Sequence, residues 1–166
     1  MAEFEHQRHK PPRRLAEPRQ LVVACCPLRS NVNLSRIVRA AACDGIDRLI
    51  CAGNPRVIDR IARDGPASIQ LEKHRTLVPV LRKLREEGYR LVGLEQTTGS
   101  IDLYEFEYSI RTVLIVGNER NGLGDDVLEI VDDIVEIPVY GLPFSHNVAT
   151  ATAIAMYEYC RQYPDG

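Results

Sequence analysis

The chain reads as an α/β domain built on a mainly parallel sheet flanked by helices. Three observations carry that reading. LVVACC (21–26) and TVLIVG (112–117) are short runs without polar alternation, as strands covered on both faces are. Between such runs lie segments with apolar residues at helical spacing, so strands and helices take turns along the chain. At 166 residues, with 45% hydrophobic and 27% charged residues, the chain fits one domain with a real core.

The elements follow in order. Residues 1–19 are polar and basic and read as a flexible N-terminal tail, with the folded domain spanning 20–166. LVVACC is the first strand, ended by Pro27. A helix begins near Ser30, a natural N-cap, carries Leu34, Ile37, Val38, Ala41 and Ala42 on one face, and stops at Gly45. DRLICAG (47–53) is the next strand, and Pro55 is expected to open a helix running to about Asp64. A short strand at 68–72, a helix at 76–87 closed by Gly88, and the strand RLVGLE (90–95) come next. Residues 97–111 read as loop with a short helical turn. TVLIVG, a helix near 124–131, DIVEIPV (133–139) and a final helix at 146–162 complete the series. Strands joined by helices in this way form parallel neighbours through right-handed crossovers, and ligands bind beyond the carboxyl ends of the strands. The loops after 26, 95, 117 and 139 share that edge.

Composition narrows the function classes. No stretch approaches the ~18 apolar residues of a membrane span, and the first twenty residues hold no apolar signal segment, so a cytoplasmic protein is expected. The five cysteines, Cys25, Cys26, Cys43, Cys51 and Cys160, form no C-x-x-C pair and read as reduced core residues. The four histidines lack metal-ligand spacing, so no metal is expected. A net charge of −2 excludes a protein that coats nucleic acid through bulk charge. Local RNA contact is compatible, because 18 of the 21 basic residues are arginine, whose planar fork grips phosphate.

Three separated segments place polar residues at the expected ligand edge: Asn33 to Arg39, Gly117-Asn118-Glu119, and Ile137 to Asn147. GNERNGLG lacks the Lys-Ser/Thr of a Walker loop, and G-x-G-x-x-G is absent. Asp125 and Asp126 would repel a phosphate from the following helix. Ser145-His146 lacks the G-x-S-x-G setting of a hydrolase nucleophile. Singly, Gly-Asn-Glu is a turn with a surface acid, and Ser145 or Asn147 is a helix cap.

Together and in order, the segments resemble the SpoU (TrmH) family of RNA ribose 2′-O-methyltransferases, of the SPOUT class. The similarity covers about residues 20–161. Asn33 and Arg39 in NVNLSRIVR match its first motif, Gly117-Asn118-Glu119 its second, and Ile137-Pro138, Gly141 and Ser145-His146-Asn147 its third. The Gly that usually follows the first-motif Asn is absent, Arg120 stands where the second motif has Gly, and His146 where the third has Leu.

The resemblance implies a C-terminal trefoil knot within residues 112–162, a homodimer with active sites near its interface, and S-adenosyl-L-methionine as methyl donor. It places cofactor contacts on Leu94, Gly117, Ile137 and His146, largely through backbone groups. It places the catalytic set on Arg39, Asn33, Glu119, Ser145 and Asn147, acting on tRNA or rRNA. Using a guanidinium with a pKa above ~12 as a base costs about 7 kcal/mol at neutral pH, so Arg39 is expected to hold a phosphate and stabilise the developing alkoxide. The competing expectation is a non-catalytic RNA-binding or assembly protein that keeps the knotted fold.

Overall fold

The computed structural model describes residues 3–166. Its strands are β1 (Leu21–Cys25), β2 (Arg48–Ala52), β3 (Gln70–His74), β4 (Arg90–Leu94), β5 (Ile101–Asp102), β6 (Thr112–Val116) and β7 (Asp133–Glu136). They form one seven-stranded sheet in the order β3-β2-β1-β6-β4-β7-β5, with every pair parallel. The helices are α1 (Asn31–Cys43), α2 (Asp59–Ala62), α3 (Val78–Glu86), α4 (Asp125–Leu128) and α5 (Val148–Gln162), with a 3-10 turn at Gly65–Ala67.

The unbroken apolar runs now have their reason. β1 and β6 are central, and alternate residues feed two separate cores. Leu21, Val23, Cys25, Leu114 and Val116 pack with α1 and α5, while Val22, Ala24, Val113 and Ile115 pack with α3 and α4. Each fully buried aliphatic side chain contributes roughly 1.5–3 kcal/mol, so both cores need apolar residues at every position of these strands. α1 meets the sheet through Leu34, Ile37, Val38 and Ala41, and Ser30 caps it by accepting the Asn33 N–H at 3.2 Å.

Three expectations change. α2 holds only Asp59–Ala62, because Ile58 before it is held extended against α1 and Arg63 after it has positive φ. Asn31 Oδ1 accepts from Arg56 N at 3.1 Å and Ser35 Oγ from Ile58 N at 2.8 Å, fixing 55–58 as an extended strap along α1. Cys43 is exposed and Cys160 half-buried, so only Cys25, Cys26 and Cys51 are core cysteines. The segment 97–111 contains β5 and buries Leu103, Phe106 and Tyr108.

At the other terminus the chain is tied to its C-terminal end. Ala16 N donates to Asp165 O at 2.9 Å, and Arg19 donates to Asp44 O at 2.7 Å and Tyr163 O at 2.5 Å. Among the described residues no helix is long and apolar enough to cross a membrane.

Candidate active site

Parallel strands end at one edge, and there β4, β6 and β7 open onto a cavity of about 570 Å³. Its walls come from 94–96 after β4, 116–122 after β6, 136–139 after β7, and 143–151 leading into α5. The expected cofactor residues Leu94, Gly117, Ile137 and His146 all line it, as do Glu119, Ser145 and Asn147. Asn33 and Arg39 do not.

Asn33 nevertheless belongs to the site, through a polar clasp that joins all three sequence segments. Its Nδ2 donates to Glu119 Oε1 at 3.0 Å, and Asn147 Nδ2 donates to Asn33 Oδ1 at 3.1 Å. Asn147 Oδ1 meanwhile accepts from Ala149 N at 2.9 Å, capping α5. Glu119 also accepts from Arg29 N at 2.7 Å and Ser30 N at 3.0 Å, so a carboxylate sits at the positive end of α1. Desolvation pushes the Glu119 carboxyl upward, but the donors from Arg29, Asn33 and Ser30 outweigh it and hold the group below its ordinary value. It stays ionised at neutral pH.

Gly117 is required by contact rather than by dihedral angle. A Cβ there would lie 2.7 Å from Gly122 Cα and 2.7 Å from Leu123 N. The loop folds back so tightly because Asn118 and Gly122 exchange two backbone hydrogen bonds of 2.9 Å, while Asn118 Oδ1 accepts from Arg120 N at 2.9 Å. Gly122 adopts the left-handed conformation, φ 65°, whereas Arg120 does not. Arg120 therefore replaces the motif glycine without backbone strain.

Arg39 stands apart within one chain. It is exposed on α1, roughly 9 Å along the helix axis from Asn33, and its Cα faces Gly65 of the 3-10 turn. Of the nearby arginines, Arg36 shares α1 with Arg39, whereas Arg29 precedes the helix start at Asn31 and contributes its backbone N–H to Glu119.

Several wall residues carried no motif signal. Glu95 accepts from Leu123 N at 3.0 Å and Gln96 N at 3.0 Å, and Glu136 accepts from Ser100 Oγ at 2.7 Å. Gln96 Nε2 reaches Phe144 O at 3.3 Å, linking the loop after β4 to the one before α5. Position at a strand end is the signal that could have found them. With Glu119 they give the cavity three carboxylates beside apolar Leu94, Val116, Ile137, Val139 and Val148. Arg120 lines the same cavity, and three carboxylates against one guanidinium leave a balance that suits a flat apolar group carrying positive charge.

A parallel sheet with this clasped, strand-end pocket defines an α/β domain with a small-molecule site at the carboxyl edge of its strands, and comparison with known proteins gives the family. The family model described as the SpoU rRNA Methylase family matches residues 20–157, and the chain belongs to that family. It is 31% identical over 158 residues to a tRNA (guanosine(18)-2′-O)-methyltransferase of Aquifex aeolicus, covering 90% of this chain and 74% of the relative. A protein of the same description from Escherichia coli is 26% identical over 133 residues, covering 78% of this chain and 58% of that protein. Among solved structures, the Aquifex aeolicus TrmH/SpoU tRNA modifying enzyme superposes with a TM-score of 0.84 at 28% identity, covering 90% of this chain and 78% of the other. The SpoU methyltransferase AviRb of Streptomyces viridochromogenes, solved in complex with AdoMet, gives 0.78 at 26% identity, covering 91% and 63%.

Proposed function

We propose that this chain transfers a methyl group from S-adenosyl-L-methionine to a ribose 2′-hydroxyl of structured RNA, tRNA or rRNA, in the cytoplasm. The observation that carries the reading is the clasp: Asn33, Glu119 and Asn147 are far apart in sequence, and their hydrogen bonds join two walls of one carboxylate-rich pocket. The cavity's volume falls within the range of small-molecule sites, and its lining fits an adenosyl group bearing a sulfonium.

When bound, the cofactor supplies an already activated methyl group. The chain's own task is alignment and charge, where positioning supplies much of the barrier reduction. Leu94, Gly117, Ile137 and His146 would hold the cofactor at the strand ends. Glu119, with its three donors in place, fixes the loop after β6 to the start of α1, so it positions rather than abstracts a proton. Asn33 holds the two loops together, and Asn147 and Ser145 set the chain that enters α5. Arg39 would clamp an RNA phosphate and stabilise the negative charge developing at the 2′-oxygen as its proton passes to water or to that phosphate.

Arg39 lies outside its own chain's pocket, which supports a pocket completed by a second copy. The groove between α1 and α5 supports the homodimer: it is lined by Ala40, Leu103, Ala153 and Ile154, with Tyr104 and Tyr157 standing 72% and 70% exposed beside it. Strand order supports the knot. β6 lies between β1 and β4, the chain then passes β4 to reach β7, and α5 returns to pack on α1, β4 and β6.

The test is incubation with labelled S-adenosyl-L-methionine and total RNA. Label is expected at 2′-O-methyl positions, and an otherwise identical 2′-deoxy acceptor stays unlabelled. Labelling of the deoxy acceptor would overturn the chemistry. Failure to bind the cofactor well above micromolar concentration would instead favour the non-catalytic RNA-binding reading.

A further inference from the structure

Arginine is concentrated in the α1 and α2 segments beyond what their own acids can match. Arg48, Arg85, Arg90 and Arg161 each hold a carboxylate, at 2.6, 2.7, 2.5 and 2.8 Å. Among the described residues, Arg36 and Arg39 on α1 and Arg56, Arg60 and Arg63 on the neighbouring strap form no ion pair and are exposed. Residues 29–43 and 53–67 together contain six arginines against two aspartates, Asp59 and Asp64, in a chain of net charge −2. The two segments are physically one surface. Asn31 and Ser35 bind the backbone of Arg56 and Ile58, and Gly65 lies against the Arg39 backbone, so the strap runs beside α1 for most of its length.

Arg63 adds an independent oddity. It is the sole non-glycine residue with positive φ among those described, at φ 52° and ψ −129°. These angles belong to the first central position of a type II′ turn, which glycine dominates. Folding alone would be served better by glycine, so this position carries backbone strain and presents an exposed guanidinium.

We propose that the α1–α2 surface, centred on Arg56, Arg60 and Arg63, is a phosphate-tracking RNA-docking face that leads the substrate backbone toward the clasped pocket. This rests on the methyltransferase reading and deepens it by locating where the RNA lies outside the pocket. Guanidinium groups free of internal carboxylates are the ones able to release counterions from an RNA backbone on binding. The start of α1 is tied to Glu119, so RNA laid on this face reaches the pocket mouth along one helix.

Binding of bulk tRNA is measured as a function of salt for wild type, Arg60→Ala, Arg63→Gly and the double variant, alongside cofactor binding and melting temperature. Each substitution is expected to reduce the slope of log K against log salt by about 1. The double variant is expected to bind about tenfold or more weakly near 100 mM salt. Cofactor affinity stays unchanged, and Arg63→Gly melts no lower than wild type because the turn is relaxed. If the wild type binds RNA and the variants keep its affinity and slope, the docking face is wrong while the methyltransferase reading stands, and the surface passes to an acidic protein partner. A wild type that binds neither RNA nor cofactor overturns both. A lowered melting temperature for Arg63→Gly would show that Arg63 serves folding and remove it from the face.

Discussion

α5 spans the molecule, and its two ends are built on opposite principles. Its C-terminal end is sealed. Tyr159 is fully buried, donates its hydroxyl to Ile110 O at 2.7 Å, and packs edge-on against Tyr108 at 5.7 Å. Gln162 there holds both the Tyr108 N–H, at 2.8 Å, and Phe106 O, at 2.8 Å. Its N-terminal end is open. Asn147 is exposed, yet three hydrogen bonds tie it to Asn33 and to the first turn of its own helix. Apolar area supplies the free energy at the sealed end, whereas hydrogen-bond geometry at the open end holds loops in place over a cavity. Stability and function should therefore separate along one helix.

The sharpest way to break the contrast is at the sealed end. Tyr159→Ala removes a wholly buried aromatic ring and leaves Ile110 O without its donor, and is expected to cost about 3–5 kcal/mol in denaturant unfolding. Cofactor affinity per folded molecule should stay near wild type. A loss of affinity larger than the loss of stability would mean the two ends are coupled.

Gly117→Ala probes the open end where no side chain can yield. The added methyl meets backbone atoms of Gly122 and Leu123, so the turn must move, at about 1–3 kcal/mol. The cavity wall moves with it, and cofactor binding should fall more than stability does. Asn33→Ala goes further in the same direction: it removes the link between Glu119 and Asn147 and is expected to slow methyl transfer by about 10²-fold through misplacement, with a stability cost of about 1 kcal/mol or less. Equal losses of rate and stability in these variants would abolish the distinction.

The two ends also differed in how far the residues announced them. The open end was legible because its polar residues interrupt an apolar pattern, and Gly117, Glu119 and Asn147 from those segments line the cavity. The sealed end was not: 97–111 read as loop, since Phe106 and Tyr108 follow no period and their burial depends on α5 arriving from some fifty residues away, with Tyr159 and Gln162 as partners. Pro55 misled for a related reason. It opens helices when local hydrogen bonding decides, and here Asn31 and Ser35 of α1 claimed the neighbouring N–H groups. The position of Arg39 beside Gly65 was equally illegible, because Gly65 comes to lie against α1 through packing that spacing along α1 does not contain.

The smallest expected effect, and the most specific to the clasp, is a pH dependence. Glu119 has a folded-state pKa below its ordinary value of 4.5, so its contribution to stability is present in full above about pH 4.5 and is lost as pH falls through the folded value. Glu72 and Glu158, also depressed by their arginine partners, titrate in the same window and would mask it in wild type alone. Comparison with Glu119→Gln cancels them. The amide keeps the shape and one acceptor oxygen but cannot carry the charge that faces the start of α1. The melting-temperature advantage of wild type over this variant should be constant above about pH 4.5 and shrink at lower pH. Because the carboxylate is exposed to solvent, the advantage is small and declines further as salt is added. A difference that stays flat through acid pH would show that the clasp holds by shape alone, and the ionised carboxylate would lose its place in the account of the open end.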